Sequence, residues 1–453
     1  MFFSSFLNLS NKTIKNISLG FCFFFIIGAY TLLRELKDAV FIITVGTQYL
    51  PDVKMISIFV MIPMVLFYTW FSERVSRQTL LACYALVFSC GAFIISCFLK
   101  DPIIGITNVI PHKTRLFGWL TYLFLEGCSP FLVSLNWSFL NSISNPGDVK
   151  NNYIIMAAMG KIGSFIFALT AWFSLSRYFA FFNNFSDIDI YVSLFRLSSC
   201  ALFLIPFILF YLFLKLPLTE FQGYTDINNF QEESQSIDKK TITFGSGFAL
   251  LFKNAYVFSI VGMIFCWEVI NVIFNNLRLA IAYEGSQTIG ELSLFLFKST
   301  VTTSLISLFF VIIGTNSVIR FLGERKALLF IPLVTGIIMI SFLLHPTPTM
   351  VIFAYTFIRA INLSLTTPIR EALYIPTSKE IQFKTKSWID SFGQKFSKGC
   401  GSLYNKIIQF LPLSTAYYTQ IGFFVLIVAL WTYIATFLGK KWEKAVKEKK
   451  IIK

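Results

Sequence analysis

Twelve apolar runs follow one another along this chain, each long enough to cross a bilayer core of about 30 Å at about 1.5 Å of helical rise per residue. They cover approximately residues 17–45, 53–72, 79–99, 117–143, 153–175, 190–214, 256–275, 292–313, 327–344, 350–375, 388–411 and 416–438. The pattern specifies a polytopic membrane protein, because a chain in hydrocarbon must satisfy its backbone polar groups within each spanning segment. Composition agrees: 56% of the 453 residues are hydrophobic and 13% charged, with 54 phenylalanines, far from the balance of a soluble domain. The first run, after Lys12 and Lys15, is much longer than the apolar region of a signal peptide and lacks a small-residue cleavage site, so it is expected to stay as a helix. The eleventh run is the most interrupted, by Asp390, Lys395, Lys398 and Lys406.

The one long polar interruption, Pro217 to Thr243, falls between the sixth and seventh runs and reads as a flexible linker. The predicted organisation is a six-helix bundle over 1–216, a cytoplasmic loop over 217–244, and a second six-helix bundle with a basic tail over 245–453. A repeat supports it. Phe71-Ser72-Glu73-Arg74-Val75-Ser76-Arg77 follows the second helix, and Phe321-Leu322-Gly323-Glu324-Arg325-Lys326 follows the eighth, the same acidic-then-basic turn in the corresponding place. Two such halves predict an all-α transporter of the major facilitator type with its binding site at midplane.

Lys and Arg in the short loops set the orientation. With the N-terminus inside, cytoplasmic segments collect Arg74, Arg77, Lys150, Lys239, Lys240, Arg325, Lys326 and the tail Lys440 to Lys453, whereas Lys54, Lys100, Lys113, Arg115, Arg177 and Arg278 fall on the opposite side. Both termini are therefore expected in the cytoplasm. Most of the net charge of +15 is accounted for by topology, so no nucleic-acid partner is expected. Of eight cysteines, Cys22, Cys83, Cys90, Cys97, Cys128, Cys200 and Cys266 lie in apolar runs without CxxC spacing, and His112 and His345 lie in turns beside proline. These are packing and loop residues; no metal and no cofactor is expected.

Charges at membrane depth are the informative residue set, since each costs about 2.5–3.5 kcal/mol on insertion scales and must face a polar cavity or a partner. The densest is the box Arg34-Glu35-Leu36-Lys37-Asp38 in the first helix; Glu126, Lys161, Glu268, Lys298, Arg370, Glu371, Asp390 and Lys398 are others. Arg34 and Asp38 are four apart on one helix face and form the natural internal pair, while Lys37 has no opposite charge three or four residues away. Glu126 and Glu268 are lone carboxylates in otherwise uncharged stretches. If the first and fourth helices correspond to the seventh and tenth, the pairs are Lys37 with Glu126 and Glu268 with Arg370.

Three stretches carry a family likeness: Leu32 to Asp38; Trp137-Ser138-Phe139-Leu140-Asn141 with Asp148-Val149-Lys150-Asn151-Asn152-Tyr153; and Pro368-Ile369-Arg370-Glu371-Ala372-Leu373-Tyr374-Ile375-Pro376. They resemble signature stretches of the ATP/ADP translocases of obligate intracellular bacteria and plastids, as does Ile389-Asp390 leading to Lys398-Gly399-Cys400-Gly401, in register from Gly28 to Gln409. The resemblance implies a nucleotide transporter exchanging ATP for ADP and phosphate, with Lys37, Glu126, Glu268 and Arg370 needed for transport. Arg370 stands where the family has lysine, and Asn151-Asn152 where it usually has Arg-Phe. Arginine keeps the charge but presents a planar fork in place of a compact ammonium.

The residues themselves suit that cargo. A polyphosphate in a low-dielectric cavity needs several cations, for which Lys37, Lys161, Arg370 and Lys398 are candidates; an adenine needs an aromatic slot, for which Tyr30, Trp137 and Trp267 are candidates. No GxxxxGK[ST] loop and no HExxH occurs, so a nucleotide would be carried and not split, and no enzyme is expected. The expected partners are a small-molecule substrate (ATP, ADP, phosphate) and the lipid bilayer, with the chain acting as a monomer. The alternative is a proton-coupled symporter for nucleotides or another organic anion, using Glu126 or Glu268 as its protonatable group.

Overall fold

The fold is described, from a computed structural model, for residues 11–72, 74–143, 149–178, 180–217, 254–313, 315–374, 376–377, 389 and 393–448. Helix α1 spans Asn11–Thr44, α2 Leu50–Ser72, α3 Arg77–Phe98, α4 Leu116–Glu126, α5 Cys128–Ile143, α6 Val149–Leu175 and α7 Asp187–Lys215. After the interhelical segment come α8 Ala255–Glu284, α9 Ile289–Ile313, α10 Thr315–Leu344, α11 Pro348–Ile361, α12 Thr367–Leu373, α13 Gln394–Gln409 and α14 Leu413–Lys447. Among the described residues, eleven helical stretches are long and apolar enough to cross a membrane. Helix α13, at 16 residues, is shorter, and residues 388 and 390–392 of its expected span, Asp390 among them, lie outside the described residues. Most of the predicted linker, from residue 218 onward, also lies outside them.

Local chemistry sets the helix ends. Ser186 caps α7 in a reciprocal box with Asp189, Asn254 accepts from the Tyr256 N–H at 2.9 Å to start α8, and Thr347 followed by Pro348 starts α11. Two expected spans are not continuous helices. The fourth breaks at Gly127 into α4 and α5, and the tenth passes through a π turn, Asn362–Thr366, between α11 and α12. The turn after the eighth helix is a break inside α10, where Gly323 takes φ 70° and ψ 158°, a conformation essentially restricted to glycine.

The chain divides into two compact units. The first comprises residues 1–47, 59–238 and 286–301; the second comprises 48–58, 239–285 and 302–453. In the first unit α1 is the central helix, packed by α4, α5, α6 and α7, with α3 against α5 and α7. In the second unit α8 takes that place, packed by α11, α13 and α14, with α10 against α11 and α14. Burial follows the same order: 61% of the apolar stretch of α1 and 67% of that of α8 are buried, against 12% for α2. Phe59 and Phe67 on α2, Phe207 and Phe210 on α7, and Val425 and Leu426 on α14 are exposed, as lipid-facing side chains are. Small residues let α6 close on α1: a Cβ at Gly163 would stand 2.3 Å from the Phe24 carbonyl oxygen, and one at Gly160 would stand 2.7 Å from the Phe23 ring.

Candidate functional site

The charged box of α1 is buried within the first unit and is paired throughout. Arg34 donates to Glu35 through Nε at 3.0 Å and Nη2 at 2.5 Å, and Thr300 of α9 donates to the same carboxylate oxygen at 2.9 Å. Glu35 is thus tied to α9, and the expected pair of Arg34 with Asp38 is replaced by neighbour pairs. Lys37 Nζ lies 2.9 Å from Asp38 Oδ1, 3.1 Å from Glu126 Oε2 and 3.6 Å from the centroid of the Tyr122 ring. Helix α4 supplies both the ring and the second carboxylate, because Tyr122 and Glu126 are four apart and share a helix face. Phe41, one turn beyond Lys37 on α1, meets the Tyr122 ring edge-on at 5.3 Å and fixes its tilt.

Taking these ions out of water costs several kcal/mol each, which only close, saturated pairing offsets. Among the described residues, the contacts of this cluster bring two cations, Arg34 and Lys37, against three carboxylates, Glu35, Asp38 and Glu126. Lys37 and Glu126, expected from the sequence as the cation and the anion that the first half offers to a cavity, lie against one another. Tyr122 and the direct role of Asp38 were not among the expected site residues, although the i, i+4 spacing of Tyr122 to Glu126 was readable.

The other expected residues of this unit are spread over α1, α5 and α6. Tyr30 is half-buried with the Arg34 guanidinium 5.9 Å from its ring, and Trp137 packs edge-on against Phe23 at 5.3 Å. Lys161, half-buried on α6, has no hydrogen-bond or ion-pair partner among the described residues. It lies beside Gly160, which meets Phe23 and Ile27, about 15 Å along α1 from Lys37.

In the second unit α8 carries a polar stripe, Glu268, Asn271, Asn275 and Arg278, spaced to fall on one helix face. Asn271 Nδ2 donates to Glu268 Oε2 at 3.4 Å, and Arg278 Nη2 donates to Asn275 Oδ1 at 3.0 Å. Among the described residues Glu268 makes no ion pair with Arg370; the amide of Asn271 serves it instead. Arg278, expected in an outer loop, is 1% exposed within α8, its guanidinium 4.3 Å from the centroid of the Tyr355 ring, and Arg359 donates to the hydroxyl of that same tyrosine. Trp267 is 6% exposed and belongs to the apolar core of this unit. Arg370 on α12 and Lys398 on α13 are both half-buried.

Comparison with known proteins gives one consistent answer. The family model described as TLC ATP/ADP transporter matches residues 119–442. ADP,ATP carrier protein 3 of Rickettsia typhi is 23% identical over 94% of this chain and 93% of its own length. ADP,ATP carrier protein 4 of the same organism is 21% identical over 95% and 91%. Among solved structures, the proton:xylose symporter XylE bound to 6-bromo-6-deoxy-D-glucose superposes with a TM-score of 0.62 at 15% identity, over 96% of each chain. The peptide transporter POT in complex with alafosfalin gives 0.61 at 12% identity, over 96% of this chain and 99% of that one. These similarities establish a major facilitator fold, and the extent of the family match means that the chain belongs to the TLC ATP/ADP transporter family.

Proposed function

We propose that this protein exchanges adenine nucleotides across a bacterial inner membrane by alternating access, binding ATP and ADP through Lys37, Glu126, Lys161 and Tyr30 of the first unit and Glu268, Arg370 and Lys398 of the second. The carrying observation is the buried Lys37 and Glu126 pair, a cation and a carboxylate from two helices held 3.1 Å apart in a membrane interior. Lys161 supports the reading as a cation left for a phosphate to meet. Trp137, half-buried beside Phe23, is the aromatic candidate for the adenine in the first unit, and Trp267 takes that part in the second once its core packing opens. Halves of 1–216 and 245–453, termini in the cytoplasm, action as a monomer and passage of the nucleotide without hydrolysis complete the proposal.

Exchange is preferred to proton-driven import because the relatives of this chain are named ADP,ATP carrier proteins. Moving ATP, with about four charges, against ADP alone, with about three, transfers net charge and is biased by about 2.3 kcal/mol per 100 mV unless phosphate or another ion compensates, so a carrier reset by bound nucleotide is coupled to the membrane potential and not to protons. Uptake of labelled nucleotides into cells expressing the chain tests the site. Lys37→Gln and Glu268→Gln should abolish uptake with the protein still inserted, Arg370→Lys should retain substantial activity, and Arg370→Gln should lose it. Normal transport by Lys37→Gln and Glu268→Gln would refute the assignment.

A further inference from the structure

We infer that Glu126 is a built-in counter-anion, seated on Lys37 in place of the nucleotide's phosphate, and that Asp38 and Tyr122 are positioning residues that hold the ammonium while Glu126 is exchanged for substrate. The inference rests on the nucleotide-transport reading and assigns different tasks to the groups around one lysine.

Three features separate Glu126 from the other two. Its side chain is 18% exposed, whereas the side chain of Asp38 is 5% and Tyr122 is 2% exposed, so Glu126 is the most open wall of the cage. It is the last residue of α4, at a weak joint: the Gly127 N–H reaches back to the Phe124 and Leu125 carbonyls in place of the regular fourth-residue bond, and the next link, from the Phe131 N–H to the Gly127 carbonyl, is stretched to 3.5 Å. Asp38, in contrast, lies in the uninterrupted interior of α1, next to the lysine it holds. A carboxylate and a phosphate oxygen are equivalent acceptors for an ammonium donor, so one can stand for the other without rebuilding the site.

Charge favours the exchange. Among the described residues three carboxylates already surround Arg34 and Lys37, and a polyphosphate added beside them would bring like charge into a buried, poorly screened place. Withdrawal of Glu126 toward its exposed side balances Lys37 with Asp38 and leaves an ammonium proton free for the phosphate. Return of Glu126 then expels the phosphate at the other side. The carboxylate therefore weakens binding and speeds release, which is the division a carrier needs.

The test is equilibrium binding of labelled ATP to the purified full-length chain in lipid nanodiscs, paired with ATP exchange in proteoliposomes. Glu126→Gln is expected to bind ATP roughly tenfold tighter or more while its maximal exchange rate falls, a split that loss of fold does not produce. Glu126→Asp, one methylene shorter and still charged, is expected to tighten binding by a smaller factor, about threefold. Asp38→Asn is expected to weaken binding. Wild-type binding with neither Glu126 variant tighter, in protein of unchanged melting temperature, overturns the role of Glu126 alone. Failure of the wild type to bind any nucleotide overturns the transport reading and the counter-anion with it.

Discussion

The ring of Tyr122 offers the most quantitative probe of the Lys37 site. Its centroid lies 3.6 Å from the ammonium, and both partners are almost completely removed from solvent, at 2% exposure for Tyr122 and 5% for Lys37. A desolvated cation–π contact of this kind contributes about 2 kcal/mol, the upper part of the usual range, whereas an exposed one contributes about 0.5–1 kcal/mol. Tyr122→Leu removes the ring face and leaves Lys37 against the carboxylates of Asp38 and Glu126. If the whole contact is spent on orienting the ammonium for phosphate, KM for ATP rises roughly thirtyfold. Tyr122→Phe keeps the ring and should stay within about threefold of wild type. Initial rates of labelled ATP uptake into nucleotide-loaded proteoliposomes give KM and the maximal rate for each variant, with melting temperature as the control for folding. A Tyr122→Leu protein that is folded and transports with the wild-type KM refutes the claim that the ring positions Lys37.

Other consequences are structural. Gly163→Ala forces a Cβ onto the Phe24 backbone and should destabilise the detergent-solubilised protein by about 1–3 kcal/mol, whereas Gly422→Ala, with open space around it, should be neutral or slightly stabilising, as melting curves would show. Asp52 and Lys406, paired within the second unit, are about a quarter and a third exposed; breaking the pair by Asp52→Asn should therefore cost no more than about 1 kcal/mol, and the charge-swapped double variant should recover most of it. Ser89 and Ser199 each donate to the other's carbonyl at 2.8 Å between α3 and α7, so replacing both by alanine should lower stability by about 1–2 kcal/mol in the same assay.

Eleven of the twelve expected spans have a membrane-length apolar helix among the described residues, legible because hydrophobic length is a direct physical requirement of the bilayer. Their interruptions were less so. Gly127 follows a lone Glu126 inside an otherwise apolar run, so the run reads as continuous across the break, and the π turn at Asn362–Thr366 has no signal of its own. The seventh helix was expected to stop near residue 275 because Asn275, Asn276 and Arg278 lower the local hydropathy; α8 continues to Glu284, with Arg278 turned onto Tyr355. That contact joins residues distant in sequence and only folding reveals it. At the site, the correspondence of the two halves pointed to Lys37 with Glu126, and the pair is made. The same correspondence pointed to Glu268 with Arg370, where the neighbouring Asn271 satisfies the carboxylate instead. Adjacent residues on a helix point about 100° apart, which argues against Lys37 with Asp38; the long lysine stem closes that gap.

Counter-exchange in proteoliposomes tests the central claim most directly: the purified chain is reconstituted with or without internal ADP, and entry of labelled ATP is followed with and without a protonophore. Nucleotide exchange predicts uptake that requires internal ADP or ATP, persists with the protonophore, and shifts with an imposed membrane potential. Uptake into empty vesicles that collapses when the protonophore is added would contradict it and establish proton-coupled import in its place.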